Sequence, residues 1–97
     1  MRVIALRTLR AFWERHPDAR ATLQAWYADA KQAVWRSPDE VKSTYRNASI
    51  VANNRIVFNI KGNKYRLVVA VNYQAGLVFI RFVGAHADYD RIDVEKV

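Results

Sequence analysis

Apolar and polar residues alternate with two different periods in this chain, and the change of period divides it. In the first half the apolar positions recur every three or four residues, the spacing of one helix face. Leu6, Leu9 and Trp13 mark a first helix that ends near His16-Pro17, preceded by a short edge strand at Val3 and Ile4. Ala19, Leu23, Trp26, Tyr27, Ala30 and Val34 mark one face of a longer second helix. Ser37-Pro38-Asp39-Glu40 is a capping box with proline at the first helical position, and it predicts a short third helix. Trp13, Trp26 and Trp35 lie in this helical half and are assigned to the core rather than to base stacking.

From Arg55 the period is two, the alternation of a strand. RIVFNI, YRLVVAVNY and LVFIRFV are separated by Lys61-Gly62-Asn63-Lys64 and by Gln74-Ala75-Gly76. Gly-Asn between alternating runs is a hairpin signal, and it sets the pairs Ile60 with Tyr65, Asn59 with Arg66 and Phe58 with Leu67. With Ala75-Gly76 as the tip of a second hairpin, Asn72 pairs with Phe79 and Ala70 with Arg81. One face of the sheet then carries Ile56, Phe58, Ile60, Tyr65, Leu67, Val69, Val71, Tyr73, Val78, Ile80 and Phe82, which must pack under the helices. The other carries Arg55, Val57, Asn59, Lys61, Lys64, Arg66, Val68, Ala70, Asn72, Phe79 and Arg81, with apolar residues between basic ones. The pattern predicts an α+β fold in one domain over residues 1–97: N-terminal helices on one face of a small antiparallel sheet, and a short helix at the C-terminus.

Composition sharpens this picture. Hydrophobic residues make up 52% of the 97 positions, enough for a packed core. There is no cysteine, which removes disulfides, thiolate nucleophiles and thiolate metal sites. No apolar stretch approaches the roughly 20 residues of a membrane span, and Arg interrupts the N-terminal apolar run, so neither a membrane segment nor a secretory signal is expected. A cytoplasmic location follows as the expectation. Net charge is +7, and eleven of the sixteen basic residues are Arg, the side chain suited to bidentate phosphate contact. From Arg55 to Gly84 there is no Asp or Glu. A solvated sheet face ordinarily mixes acids with its Lys, so the second face reads as an anion-binding surface.

The last strand runs out into VGAHADYD, residues Val83 to Asp90, which holds one of the two histidines. His86 can transfer protons near neutral pH, Tyr89 can donate or position, and Asp90 can orient an imidazole. The architectural reading gives the same residues other work: His86 or Asp90 at a helix terminus, Asp88 answering the helix dipole, Tyr89 filling the core edge. No His/Asp/Glu cluster has ligand spacing, so neither a metal nor another cofactor is expected.

FNIKGNKYRLVVAVNY followed by FIRFVGAHADYDRID resembles the HigB toxin family, within the broader RelE-like group of mRNA interferases. The similarity extends to LRAFWERHPDA and SPDEVKSTY and so spans nearly the whole chain. The resemblance implies a RelE-like domain that cleaves mRNA, usually on the ribosome. It implies neutralisation by a HigA-type antitoxin with a helix-turn-helix domain, through which any DNA contact is indirect. Matching positions are Asn59, Gly62, Asn63, Arg66, Arg81, His86, Tyr89 and Asp90. The family often has Gly where this chain has Lys61, which makes the turn here bulkier and more basic. Arg66, Arg81, His86 and Tyr89 are the candidate catalytic residues, and Arg55, Asn59, Lys61, Asn63, Lys64, Phe79 and Asp90 the candidate RNA contacts. Lys61 or Lys64 is the alternative proton carrier. A non-catalytic nucleic-acid-binding module, with Phe79 and Arg stacking on bases, and a domain whose basic groove only holds an acidic protein segment remain the alternatives.

Overall fold

The computed structural model describes residues 1–97. In chain order the elements are β1 (Arg2–Ile4), α1 (Leu6–Arg15), a 3-10 turn (Pro17–Ala19), α2 (Arg20–Gln32), α3 (Pro38–Thr44), β2 (Ser49–Val51), β3 (Arg55–Ile60), β4 (Tyr65–Asn72), β5 (Leu77–Ala85) and α4 (His86–Tyr89). The five strands form one sheet in the order β1-β5-β4-β3-β2. Both prolines stand at the first position of a helical turn, as their fixed φ favours. Ser37 caps α3 by accepting from Glu40 N at 3.4 Å, while the Glu40 carboxylate accepts from Arg36 N, one residue before the cap.

Three departures from the sequence reading change the sheet. It is mixed rather than antiparallel, because β1 runs parallel to β5, pairing Arg2 with Leu77 and Ile4 with Phe79. It also has a strand that the pattern did not predict. β2 is three residues long with two of them exposed, so it carries no alternation to detect. Its sequence signal lies in the turn: Asn53 and Asn54 both have positive φ, 62° and 59°, a conformation that asparagine tolerates and tight hairpins require.

The third departure is the register of the second hairpin. Ile60–Tyr65, Asn59–Arg66 and Phe58–Leu67 pair as expected. In the next hairpin, however, Asn72 pairs with Leu77 and Ala70 with Phe79, two residues away from the predicted partners. A bulge follows: Val69 pairs with Ile80 and Val68 with Phe82, leaving Arg81 as the extra residue. A bulge reverses the alternation beyond it. Phe82 therefore turns to the second face instead of the core, and Val83 packs against the core in its place.

The main core lies between the helices and one face of the sheet. It includes Leu9, Phe12, Leu23, Trp26, Trp35, Val41 and the inward residues Ile56, Phe58, Ile60, Leu67, Val69, Val71, Val78 and Ile80. Trp26 and Trp35 both lie within 6.5 Å of the Phe58 ring, so those two tryptophans are core. Trp13 is half-buried against it, and Phe12 takes the central place on α1. Val34, predicted on the α2 core face, is 69% exposed because the helix ends at Gln32.

The second face is partly covered. Val57, Val68 and Ala70 are buried although they lie outside the main core cluster. The chain after α4 is tied to this end of the sheet: Arg55 Nη2 donates to the Val97 main-chain oxygen at 2.7 Å and Asn53 Nδ2 to Glu95 O at 3.2 Å. No helix is long and apolar enough to cross a membrane.

Asp18, in the 3-10 turn, joins the helical layer to the β3–β4 hairpin. Its carboxylate accepts from Lys64 Nζ at 2.5 Å and from the Tyr65 hydroxyl at 2.7 Å. The Tyr65 ring packs edge-on against Phe12 and His16. The hydrogen bond from Lys64, then that from Tyr65, holds the Asp18 carboxyl below its ordinary value, and Asp18 in turn raises Lys64 and Tyr65. A depressed carboxylate stabilises the fold above its unfolded value and loses that contribution as pH falls through the folded one. Asp18→Asn is expected to lower the melting temperature by a few degrees at pH 7. The gap to wild type should narrow as pH drops below about 3.8, the ordinary value. Thermal unfolding from pH 7 to pH 2 checks this, and a gap independent of pH would remove the electrostatic explanation.

Candidate active site

The hairpin and the strand-end corner meet at one end of the sheet. The turn Lys61–Lys64 closes with Lys64 N donating to Lys61 O at 3.2 Å. Lys61 and Gly62 both take positive φ, 55° and 65°. Left-handed backbone disfavours a Cβ, so Lys61 occupies a position better suited to glycine, at a local cost of roughly 1–2 kcal/mol. His86 N donates to Lys64 O at 3.2 Å and docks the corner onto this turn. α4 is a single turn, and its N-cap residue Ala85 offers no side chain. The His86 imidazole is therefore not a cap.

Within the corner, His86 and Tyr89 lie one turn apart with ring planes 17° from parallel and centroids 6.5 Å apart. Asp90 Oδ1 stands 3.7 Å from His86 Nε2, an ion pair whenever the imidazole is protonated. Both side chains are more than half exposed, so a substrate can reach them. Arg66 enters from β4. Its Nη1 donates to Asn63 O at 3.0 Å and Tyr65 O at 3.3 Å, and its guanidinium carbon lies 5.8 Å from the Tyr89 ring centroid. A guanidinium has five donors, so most of them remain for an anion.

Glycine makes room for this arrangement. Gly84 is the β5 partner of Arg66, and a Cβ there would stand 2.6 Å from Phe82 Cζ. Phe82 in turn packs 6.5 Å from Tyr89. The bulge at Arg81 sends Phe82 to this face, and Gly84 lets the ring fold along the strand.

The candidate residues thus separate into groups. Asn59, Asn63, Arg66, His86, Tyr89 and Asp90 come together at the hairpin end, with Lys61 on the exposed turn. Lys64 is beside them, but its ammonium is paired with Asp18. Arg81 is exposed and sits over Phe79, with 6.0 Å between the guanidinium carbon and the ring centroid. It lies three residues along β5 from Gly84, roughly 10 Å from the Arg66 level at strand rise. Arg55 is at the other end of β3, four residues or about 13 Å from Asn59, and its guanidinium is bonded to Asn53 O and Val97 O. No group of three His, Asp or Glu side chains converges anywhere in the chain.

One cleft at this end was not read from the sequence. It holds about 330 Å³ between the α3–β2 loop and the hairpin, bordered by Tyr45, Arg46, Asn47, Asn59 and Gly62. Its loop residues lie outside any periodic segment, and only the fold brings them beside Asn59.

The chain is also similar to known proteins. The chain is 21% identical over 94 residues to the mRNA interferase HigB of Escherichia coli O6:H1, covering 95% of this chain and 91% of the relative. It is 25% identical over 92 residues to the mRNA interferase toxin HigB of Escherichia coli K12, covering 93% and 88%, and matches the Shigella flexneri mRNA interferase HigB to the same extent. The family model HigB_toxin, described as the RelE-like toxic component of a toxin-antitoxin system, matches residues 19–92. With that match across most of its length, the chain belongs to the HigB toxin family.

Proposed function

We propose that this chain is an endoribonuclease that cleaves mRNA on the translating ribosome in the cytoplasm, and that a HigA-type antitoxin restrains it. The observation that carries the reading is the corner: a guanidinium with free donors beside an exposed imidazole, a phenol and a carboxylate, on a sheet face without acids. The names of the relatives, mRNA interferases, support the same substrate.

These groups suit cleavage by the substrate's own 2′-hydroxyl. The 2′-oxygen attacks the adjacent phosphorus, the bond from phosphorus to the 5′-oxygen breaks, and the products are a 2′,3′-cyclic phosphate and a 5′-hydroxyl. One group must take the 2′-proton, one must protonate the leaving oxygen, and cations must stabilise the phosphorane. Arg66 is the phosphorane cation. Arg81, roughly 10 Å along the strand, suits the neighbouring phosphate. His86 transfers a proton, and Tyr89, stacked near it and under Arg66, positions it. Lys64 is the weaker proton carrier, because its ion pair with Asp18 raises its pKa and holds the proton. Lys61 and Asn63 contact the RNA backbone from the turn, and Phe79 offers a stacking face beside Arg81. Arg55, at the far end of β3 and bonded to Asn53 O and Val97 O, suits a more distant stretch of the RNA backbone.

Arg66→Ala is expected to lower single-turnover cleavage by about 10²–10³-fold, the effect of losing one transition-state donor, with an unchanged melting temperature. Growth arrest at the wild-type level from a folded Arg66→Ala protein would contradict the assignment.

His86→Gln keeps a hydrogen bond and removes the titratable group. Cleavage should fall by about 10²–10⁴-fold while RNA affinity, which rests on the cations, changes little. The pH–rate profile should also lose a limb. A stable variant with an unaltered profile would move the proton chemistry to Lys61 or Tyr89. A protein that binds RNA with salt-sensitive affinity and leaves it intact would be a binding module instead.

The antitoxin is testable by co-expression. One adjacent open reading frame should restore growth and co-purify with the chain. Persistent arrest beside either neighbour would count against a restrained toxin.

A further inference from the structure

The cleft between the α3–β2 loop and the β3–β4 hairpin has features that the corner chemistry does not use. Its loop is braced at Tyr45 and at Ala48. The Tyr45 hydroxyl donates to Asp29 Oδ2 at 2.7 Å, and its ring packs edge-on against Phe58. Ala48 is buried, its N–H donates to Tyr45 O at 3.0 Å, and its carbonyl accepts from Lys42 Nζ at 2.7 Å. Between these anchors Arg46 and Asn47 are exposed and border the cleft. Neither takes part in the bracing, so both donor groups are free on a rigid support.

The opposite wall is an unpaired strand edge. β2 reaches only as far as Ser49, opposite Val57, so the outer edge of β3 has no partner beyond that point. Val71 N donates to Asn54 O, which fixes the alternation of the β3–β4 ladder. Residues of even number on β3 bond to β4, and the odd ones face the other way. The main-chain N–H and C=O of Asn59 therefore point past the end of β2 into the cleft, beside the exposed Asn59 amide. At the hairpin rim Gly62 has open space where a side chain would stand.

The cleft thus presents paired donors and acceptors from an amide on each wall and a main-chain edge, with a guanidinium at its mouth. Paired donors and acceptors in a narrow space match the edge of an unpaired nucleobase, and the guanidinium matches its phosphate. Its volume of about 330 Å³ is at the small end of ligand sites, suited to one base rather than to a peptide. Asn59 is the strand partner of Arg66, about 5 Å across the sheet, so RNA held at Arg66 brings a neighbouring nucleotide to the cleft.

We propose that this cleft is a nucleobase subsite that sets sequence preference, in which Asn47 and Asn59 read one base of the mRNA next to the cut and Arg46 holds its phosphate. The inference rests on the mRNA-cleaving reading above. A bidentate amide contact discriminates between bases by about tenfold or more.

The test maps new 5′ ends made by wild type, Arg46→Ala, Asn47→Ala and Asn47→Asp in an in vitro translation mixture carrying mRNAs of randomised sequence. Thermal unfolding of all four proteins runs alongside. In Asn47→Ala the preference at one fixed position beside the cut should flatten by about tenfold in relative kcat/KM, with other positions unchanged. Asn47→Asp, whose carboxylate only accepts, should shift that position towards bases that present an amino group. Arg46→Ala should raise KM for all sequences alike. A wild type that cuts while a folded Asn47→Ala keeps the same base profile at every position overturns the subsite and leaves the nuclease standing. A folded Asn47→Ala that cuts nowhere also overturns it, because Asn47 would then be needed for the chemistry itself. A wild type that cuts no mRNA overturns the nuclease and the subsite together.

Discussion

β5 is held on both sides at once, and the site depends on that constraint. It pairs in parallel with β1 along its first residues and antiparallel with β4 along its whole length, while its inward side chains pack under α1. A strand fixed by two neighbours and a core cannot slip without turning apolar residues to water. The extra residue at Arg81 is therefore absorbed locally, as a bulge that changes the alternation once. Before it, Val78 and Ile80 face the core; after it, Val83 does, and Phe82 joins the opposite face. That change places an aromatic ring beside Tyr89 and puts Gly84 opposite Arg66. Without the bulge, the last residues of β5 would present the corner from the wrong side of the sheet.

Much of this was legible in the residues, and what was not has identifiable causes. The first hairpin was readable because Gly62 and its turn fix the register without help from distant contacts. Helices with clear stripes or caps were also readable, and so was Trp26 as core. The second hairpin departs from its pattern because the loop between Asn72 and Leu77 is longer than its glycine suggests and because no single-strand pattern reveals a bulge. The pattern puts β1 at an edge, but its direction is set by the path of the chain through the helices and three more strands. At the corner, Arg66, His86, Tyr89 and Asp90 lie together, because the strand end and the hairpin that carry them are adjacent in the sheet. Arg55 is charged and lies on the correct face, but at the far end of β3, where its guanidinium bonds to Asn53 O and Val97 O. The Lys64 ammonium is paired with Asp18, 46 residues away in a helix-rich region that no local pattern connects to the hairpin.

The second face is shared between architecture and chemistry. At one end the chain after α4 ties itself to Arg55 and Asn53, and Val57, Val68 and Ala70 lie buried beneath this face. At the other end the same face carries Asn59, Arg66 and the hairpin turn open to solvent. Dividing the face this way keeps its apolar middle out of water and leaves the cations where a polyanion can approach them.

The pairing of Arg2 with Leu77 also orders events during synthesis. The N-terminal strand has no partner until β5 has left the ribosome, and the corner residues His86 and Tyr89 follow β5. Contacts so far apart in sequence form late. A nascent chain that lacks its last twenty or so residues has an incomplete sheet, an exposed α1 underside and no corner. The sheet and the corner therefore cannot be completed before β5 and α4 have both emerged.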